Sequence, residues 1–538
     1  MVGLSDNAVQ PPSRSGPRSR RGCWTCRSPQ VKKRCDERRP TCGRCTRLSL
    51  HCDYSLRPTL AQRRRKEIAA HAQEGSSLTI VRLAATSTGV CSLTLSNTDH
   101  EAIRFFRTAF AKFHHTKNPD YSLFSIMFDI AQEDPMVMHM VISLGILEMD
   151  HRRPNKESKQ EQNSRRHYTS ALGFMRDAVS PRNESQDIDA IYTALWLMLL
   201  YEQQFGDAGC KAYANHLTGA ASLLQDRGQR LLQLPSSTAG SLEKAPVLLR
   251  RSHGQDGSKL SVYSARIIVW ISLLDAAAAS SGIGGQVNGA LFSILLNSGG
   301  SNKYATPVEA FSRLHRYSNP LYRLAWGDLY PQPELLDDVE NRNIYALLGQ
   351  CGQLRFMVAQ LAVLYRKDAA AAALKARDVD VSIEQVGYFF TELMEVASDL
   401  SLDTDNSHRL VANIRAIVPM YHAVVLDFMR VSAFDQPLGD RQRHALREIL
   451  NMAYQSFKHD GDEAIIRVAW PLFMAALETD DLLHRDWVLD RFAAIGKYGK
   501  NFERAHRFLK EMIPAQQNLG RRIELRARLE RTEQFVLA

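Results

Sequence analysis

From about residue 98 onward, apolar positions recur at helical spacing. Ile103, Phe106, Phe110 and Phe113 form one stripe, Ile188, Ile191, Leu195 and Met198 a second, and Tyr213, Leu217, Ala220 and Leu224 a third. A period near 3.6 predicts amphipathic helices, and Thr98 to Glu101 (TDHE) reads as a capping-box start for the first of them. Two denser apolar runs, residues 191–201 and 267–279, are too short or too interrupted to cross a bilayer and predict buried helices. Strand-like alternation is confined to LTIVRL and CSLTL within residues 78–95, read as extended linker. Gly, Ser and Pro gather in residues 227–262 and 297–307, which predicts surface loops interrupting one large all-α domain over 98–538. No internal repeat stands out, and the expected class is mainly α.

The first hundred residues carry charge and thiols instead of an apolar period. Residues 1–66 hold 17 Lys and Arg against 4 Asp and Glu, a net of +13, while the whole 538-residue chain carries +10. A polyanion-binding head on a nearly neutral body follows. Residues 1–20 read as a disordered basic tail with no apolar segment of secretory length, so the cysteines are expected as thiols. Six of the nine cysteines fall in one stretch, Cys23-x₂-Cys26-x₈-Cys35-x₆-Cys42-x₂-Cys45-x₆-Cys52. C-x₂-C pairs followed by later cysteines suit tetrahedral zinc, which needs four ligands. Two ions need eight ligand positions, so with six thiolates two must bridge, and the pseudo-symmetry of the halves nominates Cys23 and Cys42. A mononuclear ribbon on Cys23, Cys26, Cys42 and Cys45 is the lesser alternative, and disulfides a weaker one still. Cys91, Cys210 and Cys351 stand at no ligand spacing and read as small buried hydrophobes.

On GCWTCR, KKRCDERRPTC and GRCTRLSLHC the segment resembles the DNA-binding domain of fungal six-cysteine binuclear zinc-cluster transcription factors. The resemblance implies two short helices around two zinc ions over residues 21–54. It places Cys23, Cys26, Cys35 and Cys42 on one ion and Cys42, Cys45, Cys52 and Cys23 on the other, with Pro40 as the loop proline. It also implies recognition of CGG-like triplets in double-stranded DNA, with Lys32 as first base reader and Lys33 a weaker one. Lysine donates to the guanine acceptors of the major groove. Arg27, Arg34, Arg44 and Arg47 are better placed as phosphate contacts, which position the head without specifying sequence.

One departure stands out. The family places six residues between its second and third cysteines, whereas this chain has eight, RSPQVKKR, with Pro29 inside the expected first helix. Proline there removes a donor and clashes with the preceding turn, so the helix is expected to restart after it. A tolerated bulge, a misjoined exon boundary and a cluster with impaired binding are the three readings of the expansion. Residues 55–97 offer Leu60 and Ile68 but no sustained heptad and read as linker, so the head is expected monomeric or weakly paired, with homo- or heterodimers open. The basic runs SRSGPRSRR and QRRRKE suit nuclear import or further phosphate contact.

The body resembles the regulatory domain that follows such clusters, on HYTSALGFM, ALWLMLLYEQQFGD, NHLTGAASLL and AWPLFMAALETDDLLHRDWVL. That implies an all-α scaffold with a regulatory or oligomeric role. Enzymatic motifs fail on inspection. HEAIR from His100 has arginine where a zincin needs its second histidine. DDVEN (Asp337 to Asn341) ends in Asn341 without a second acidic motif and reads as a solvated helix start. GIGGQV (Gly282 to Val287) has valine where a dinucleotide loop needs glycine and reads as a helix end and turn. His114, His115 and His139 read as structural. The expectation is a nuclear, zinc-dependent, sequence-specific regulator of RNA polymerase II genes that works with the transcription machinery and spans no membrane. The alternative is a chromatin or co-regulator protein whose altered zinc head binds protein or nonspecific nucleic acid.

Overall fold

The computed structural model describes residues 23–27, 35–54, 93–152, 159–180, 187–226, 228, 260–297, 306–406 and 408–538. They belong to two compact units, residues 1–91 and 92–538. Regular structure is helical throughout, and no strand occurs among the described residues. The expected tail, most of the 55–97 linker with all of LTIVRL and the first two residues of CSLTL, and most of the two expected loops lie outside the described residues, as do Cys91 and Pro29, whereas residues 93–95 are described and form no strand.

Among its described residues the N-terminal unit has two very short helices, α1 (Trp24–Arg27) and α2 (Gly43–Arg47). Neither is long enough to build an apolar face. Its buried core is Cys23, Cys26, Cys35, Cys42 and Cys45, with Cys52 and Tyr54 packed against it. Sulfur therefore occupies the place that aliphatic carbon takes elsewhere.

The body begins at helix Asn97–Phe105, but its cap lies two residues before the expected TDHE. The Ser96 hydroxyl accepts from the Asp99 amide at 3.2 Å, and the Asp99 carboxylate accepts from the Ser96 amide at 2.8 Å. Both frames satisfy the capping pattern, and burial of Asp99 selects the earlier one. The first stripe turns inward at Phe106 and Phe110, which stack at 4.7 Å and meet Phe124 edge-on. The dense run at 191–201 lies in helix Ile188–Phe205 and that at 267–279 in helix Val262–Ser280, both almost wholly buried.

Length does not exclude a membrane span here, contrary to the reading from sequence. Helices Val262–Ser280, Arg342–Lys367 and Arg409–Ser432 are each long and apolar enough to cross one, and 83%, 72% and 67% of their most apolar windows are buried within the protein. Their apolar faces are used in packing. One core gathers residues between Phe106 and Tyr330 together with Val536, a second those between Val308 and Leu537. Between these two cores, Ala276 and Ala279 meet Phe356 and Ala359. The segment Gln534–Leu537 is tied in by its backbone: Arg355 donates to the Leu537 carbonyl at 2.9 Å, Ser281 to Phe535 at 2.9 Å and Asn501 to Val536 at 3.2 Å.

GIGGQV is a helix end and turn, as expected. Gly282 and Gly285 have φ of +83° and +100°, a region that favours glycine, and the buried Asp275 carboxylate accepts from the Gly285 and Asn288 amides at 2.8 Å. DDVEN differs from expectation, since it closes helix Gln332–Glu340 instead of opening one. Asp338 accepts from the buried Lys117 ammonium at 2.6 Å, and Asp337 pairs with Arg409. Lys117 also reaches Glu334 at 3.1 Å, so these acids neutralise a buried cation. Cys210 and Cys351 are buried, as expected of small hydrophobes. His114 bonds Glu148 at 2.7 Å, His139 bonds His167 at 2.8 Å, and His115 stacks between Trp270 and Tyr345.

Candidate metal centre

The two C-x₂-C pairs place their first cysteine just ahead of a helix, Cys23 before α1 and Cys42 as the cap of α2. That position turns the second sulfur, one helical step on, toward the first. Cys23 Sγ lies 3.7 Å from Cys42 Sγ and 3.7 Å from Cys45 Sγ, and Cys26 Sγ lies 3.6 Å from Cys42 Sγ. Cys35 Sγ reaches Cys23 Sγ at 4.0 Å. Four sulfurs at 2.3 Å from one tetrahedral ion stand about 3.8 Å apart, so these separations fit zinc coordination and are far too long for S–S bonds. Two groups have all their ligand atoms within 4.8 Å of one another: Cys23, Cys26, Cys35 and Cys42, and Cys23, Cys42, Cys45 and Cys52. Cys23 and Cys42 belong to both.

Backbone amides point at the same sulfurs. Cys42 N donates to Cys52 Sγ at 3.3 Å, Cys45 N to Cys42 Sγ at 3.4 Å and Glu37 N to Cys35 Sγ at 3.5 Å. Such bonds favour thiolate. Burial pushes the Cys23, Cys26 and Cys45 thiols up, Cys45 to about 12. At Cys42 burial pulls the same way, but the Cys45 amide and the neighbouring thiols outweigh it and hold the group at about 6. A cation among the sulfurs overrides the burial penalty, because thiolates are its ligands.

The remaining site residues divide. Arg44 is half-buried with Nη1 3.8 Å from Cys26 Sγ, so its charge is turned partly toward the sulfurs. Arg47 is exposed at the last turn of α2, and Arg27 is the last residue of α1. Lys32, Lys33 and Arg34 lie outside the described residues. Two contributors escaped the reading from sequence. Asp36 accepts from the Gly43 amide at 3.0 and 3.1 Å, setting a carboxylate at the start of α2. Tyr54 approaches Cys35 Sγ at 3.6 Å, donates to the Arg38 carbonyl at 3.1 Å and carries the Arg39 guanidinium over its ring at 5.1 Å. An acidic pair, Asp36-Glu37, in so basic a stretch was the signal for Asp36.

Residues 103–512 match the family described as Fungal specific transcription factor domain, and residues 21–60 match the Fungal Zn(2)-Cys(6) binuclear cluster domain. Over 41 residues the chain is 54% identical to Sterol uptake control protein 2 of Candida albicans, covering 8% of this chain and 6% of that protein. Over 37 residues it is 62% identical to Zinc cluster transcription factor CZF1 of the same species, covering 7% and 9%. The chain thus spans less than a tenth of the length of these curated relatives. No solved structure matches it.

Proposed function

The chain belongs to the family defined by the fungal specific transcription factor domain, and on that premise we propose a zinc-dependent, sequence-specific regulator of RNA polymerase II genes. It acts in the nucleus on double-stranded DNA, as a monomer or a homo- or heterodimer, and passes its state to the transcription machinery. Residues 21–54 read DNA, 55–97 link, and 98–538 regulate. The observation that carries this reading is the pair of four-cysteine groups sharing Cys23 and Cys42. They would hold two zinc ions, and zinc would supply the folding free energy that a module without an aliphatic core lacks.

Within the head the exposed arginines form a positive outer face, and guanine-rich triplets of the CGG type are the site this face and Lys32 would meet. Lys32 reads a base edge with Lys33 assisting, and Arg27, Arg34, Arg44 and Arg47 hold phosphates. Arg47 is the cleaner phosphate probe, because Arg44 also contacts a cluster sulfur. Lys32→Ala should weaken binding to a CGG-containing duplex more than to random duplex. Arg47→Ala should weaken both alike and lower the log–log salt slope by about 0.9. Titrations of both variants against both duplexes at several salt concentrations decide it. Equal losses on the two duplexes for Lys32→Ala contradict base reading.

A further inference from the structure

The stretch between Cys26 and Cys35 is two residues longer than the family spacing, yet Cys23, Cys26 and Cys35 still meet in one ligand group. The contacts that set the span between its two ends come from residues 51–54. At the first end, the Thr25 hydroxyl of α1 donates to the His51 carbonyl at 2.5 Å. Thr25 stands between Cys23 and Cys26, so this bond ties the first C-x₂-C pair to the segment that carries Cys52. At the second end, one side chain grips three residues. The Tyr54 hydroxyl donates to the Arg38 carbonyl at 3.1 Å and lies 3.6 Å from Cys35 Sγ, while the Arg39 guanidinium sits over the Tyr54 ring at 5.1 Å.

Apolar burial does not hold this end in place, because residues 36–40 are exposed and the core beneath them is sulfur. Among the described residues, Cys35 Sγ meets the Cys23 sulfur, the Glu37 amide and Tyr54. The first is a fellow ligand and the second moves with Cys35 itself, so Tyr54 is the contact that fixes this sulfur against another segment. Asp36 adds a second anchor to the same loop by accepting from the Gly43 amide, and both anchors lie downstream of Cys35. We infer that residues 51–54 form a clasp that sets the distance between α1 and Cys35, with Tyr54 as the positioning residue for the Cys35 sulfur. The number of residues joining the two ends then matters little, since closing a loop two residues longer changes the entropy only slightly. This rests on the binuclear reading of the head and adds to it the residues that deliver the third ligand of one ion.

The test uses the full chain loaded with zinc and follows metal release to excess pyridylazoresorcinol, with the cadmium resonances of the cadmium-loaded chain as a second readout. Tyr54→Phe, which keeps the ring and removes the hydroxyl, should release its first ion about five- to tenfold faster, in keeping with the loss of one hydrogen bond. It should also shift one of two cadmium resonances, that of the ion on Cys35, and leave the other in place. Thr25→Val should speed release to a similar extent. Removing two residues from Ser28–Gln30 should leave the release rate within about twofold of the parent, and Tyr54→Phe should act equally in the shortened chain. Release unchanged in either point variant, equal shifts of both resonances, or a shortened chain that releases zinc more than about twofold more slowly overturns the proposal. A parent holding fewer than two ions contradicts the binuclear reading and this proposal with it, whereas two ions with unchanged release in Tyr54→Phe overturn the clasp alone.

Discussion

Single residues do their work here through what surrounds them. Cys42 is held near 6 by an amide and neighbouring thiols, whereas burial pushes Cys23, Cys26 and Cys45 up, so one cluster contains sulfurs of opposite tendency. In the body, burial beside His444 pushes His422 down to about 3. A histidine neutral in the fold but basic when unfolded leaves stability intact above its ordinary value of 6.5, and stability is lost as pH falls below it. The urea midpoint of the full chain should therefore drop between pH 6.5 and 4, and His422→Gln should make that drop shallower. An unchanged slope in the variant contradicts the assignment. The cysteine groups were legible in the sequence because ligand spacing is local. The salt bridges of Lys117 to Glu334 and Asp338 were not, since these partners lie more than two hundred residues apart in the chain.

At the scale of elements, the helical period found the helices around Phe106, Ile191 and Leu217. The dense apolar runs proved to be the buried centres of Ile188–Phe205 and Val262–Ser280, whereas the long helices Arg342–Lys367 and Arg409–Ser432 were not singled out. The helix start was missed by two residues, because Ser96 to Asp99 and Thr98 to Glu101 satisfy one local pattern and only burial distinguishes them. DDVEN was misplaced for a related reason: acids suit a helix start in isolation, and long-range cations hold these at a helix end. In the head, α1 ends at Arg27, immediately before Ser28-Pro29-Gln30. Removing two residues from Ser28–Gln30 restores the family spacing. If the expansion is a tolerated bulge, the shortened chain should bind CGG-containing duplex within about twofold of the parent, by competition against random duplex. A large gain in sequence preference in the shortened chain would instead mark the expansion as displacing the reading helix.

Across the whole molecule, two units rest on different sources of stability. The body buries two extensive apolar cores. The head buries cysteines and little else among its described residues. Chelation should therefore abolish binding to CGG-containing duplex while the far-ultraviolet circular dichroism, dominated by the body, stays nearly constant. Loss of both together would show that the body depends on metal as well. The clasp at residues 51–54 was invisible in the sequence, because no local pattern links Thr25 to His51 or Tyr54 to Arg38. The proposed function depends on Cys23 and Cys42 each serving two ions. Elemental analysis of the full chain, purified in reducing conditions, measures this most directly: two zinc ions per chain are expected, and one or none would contradict it.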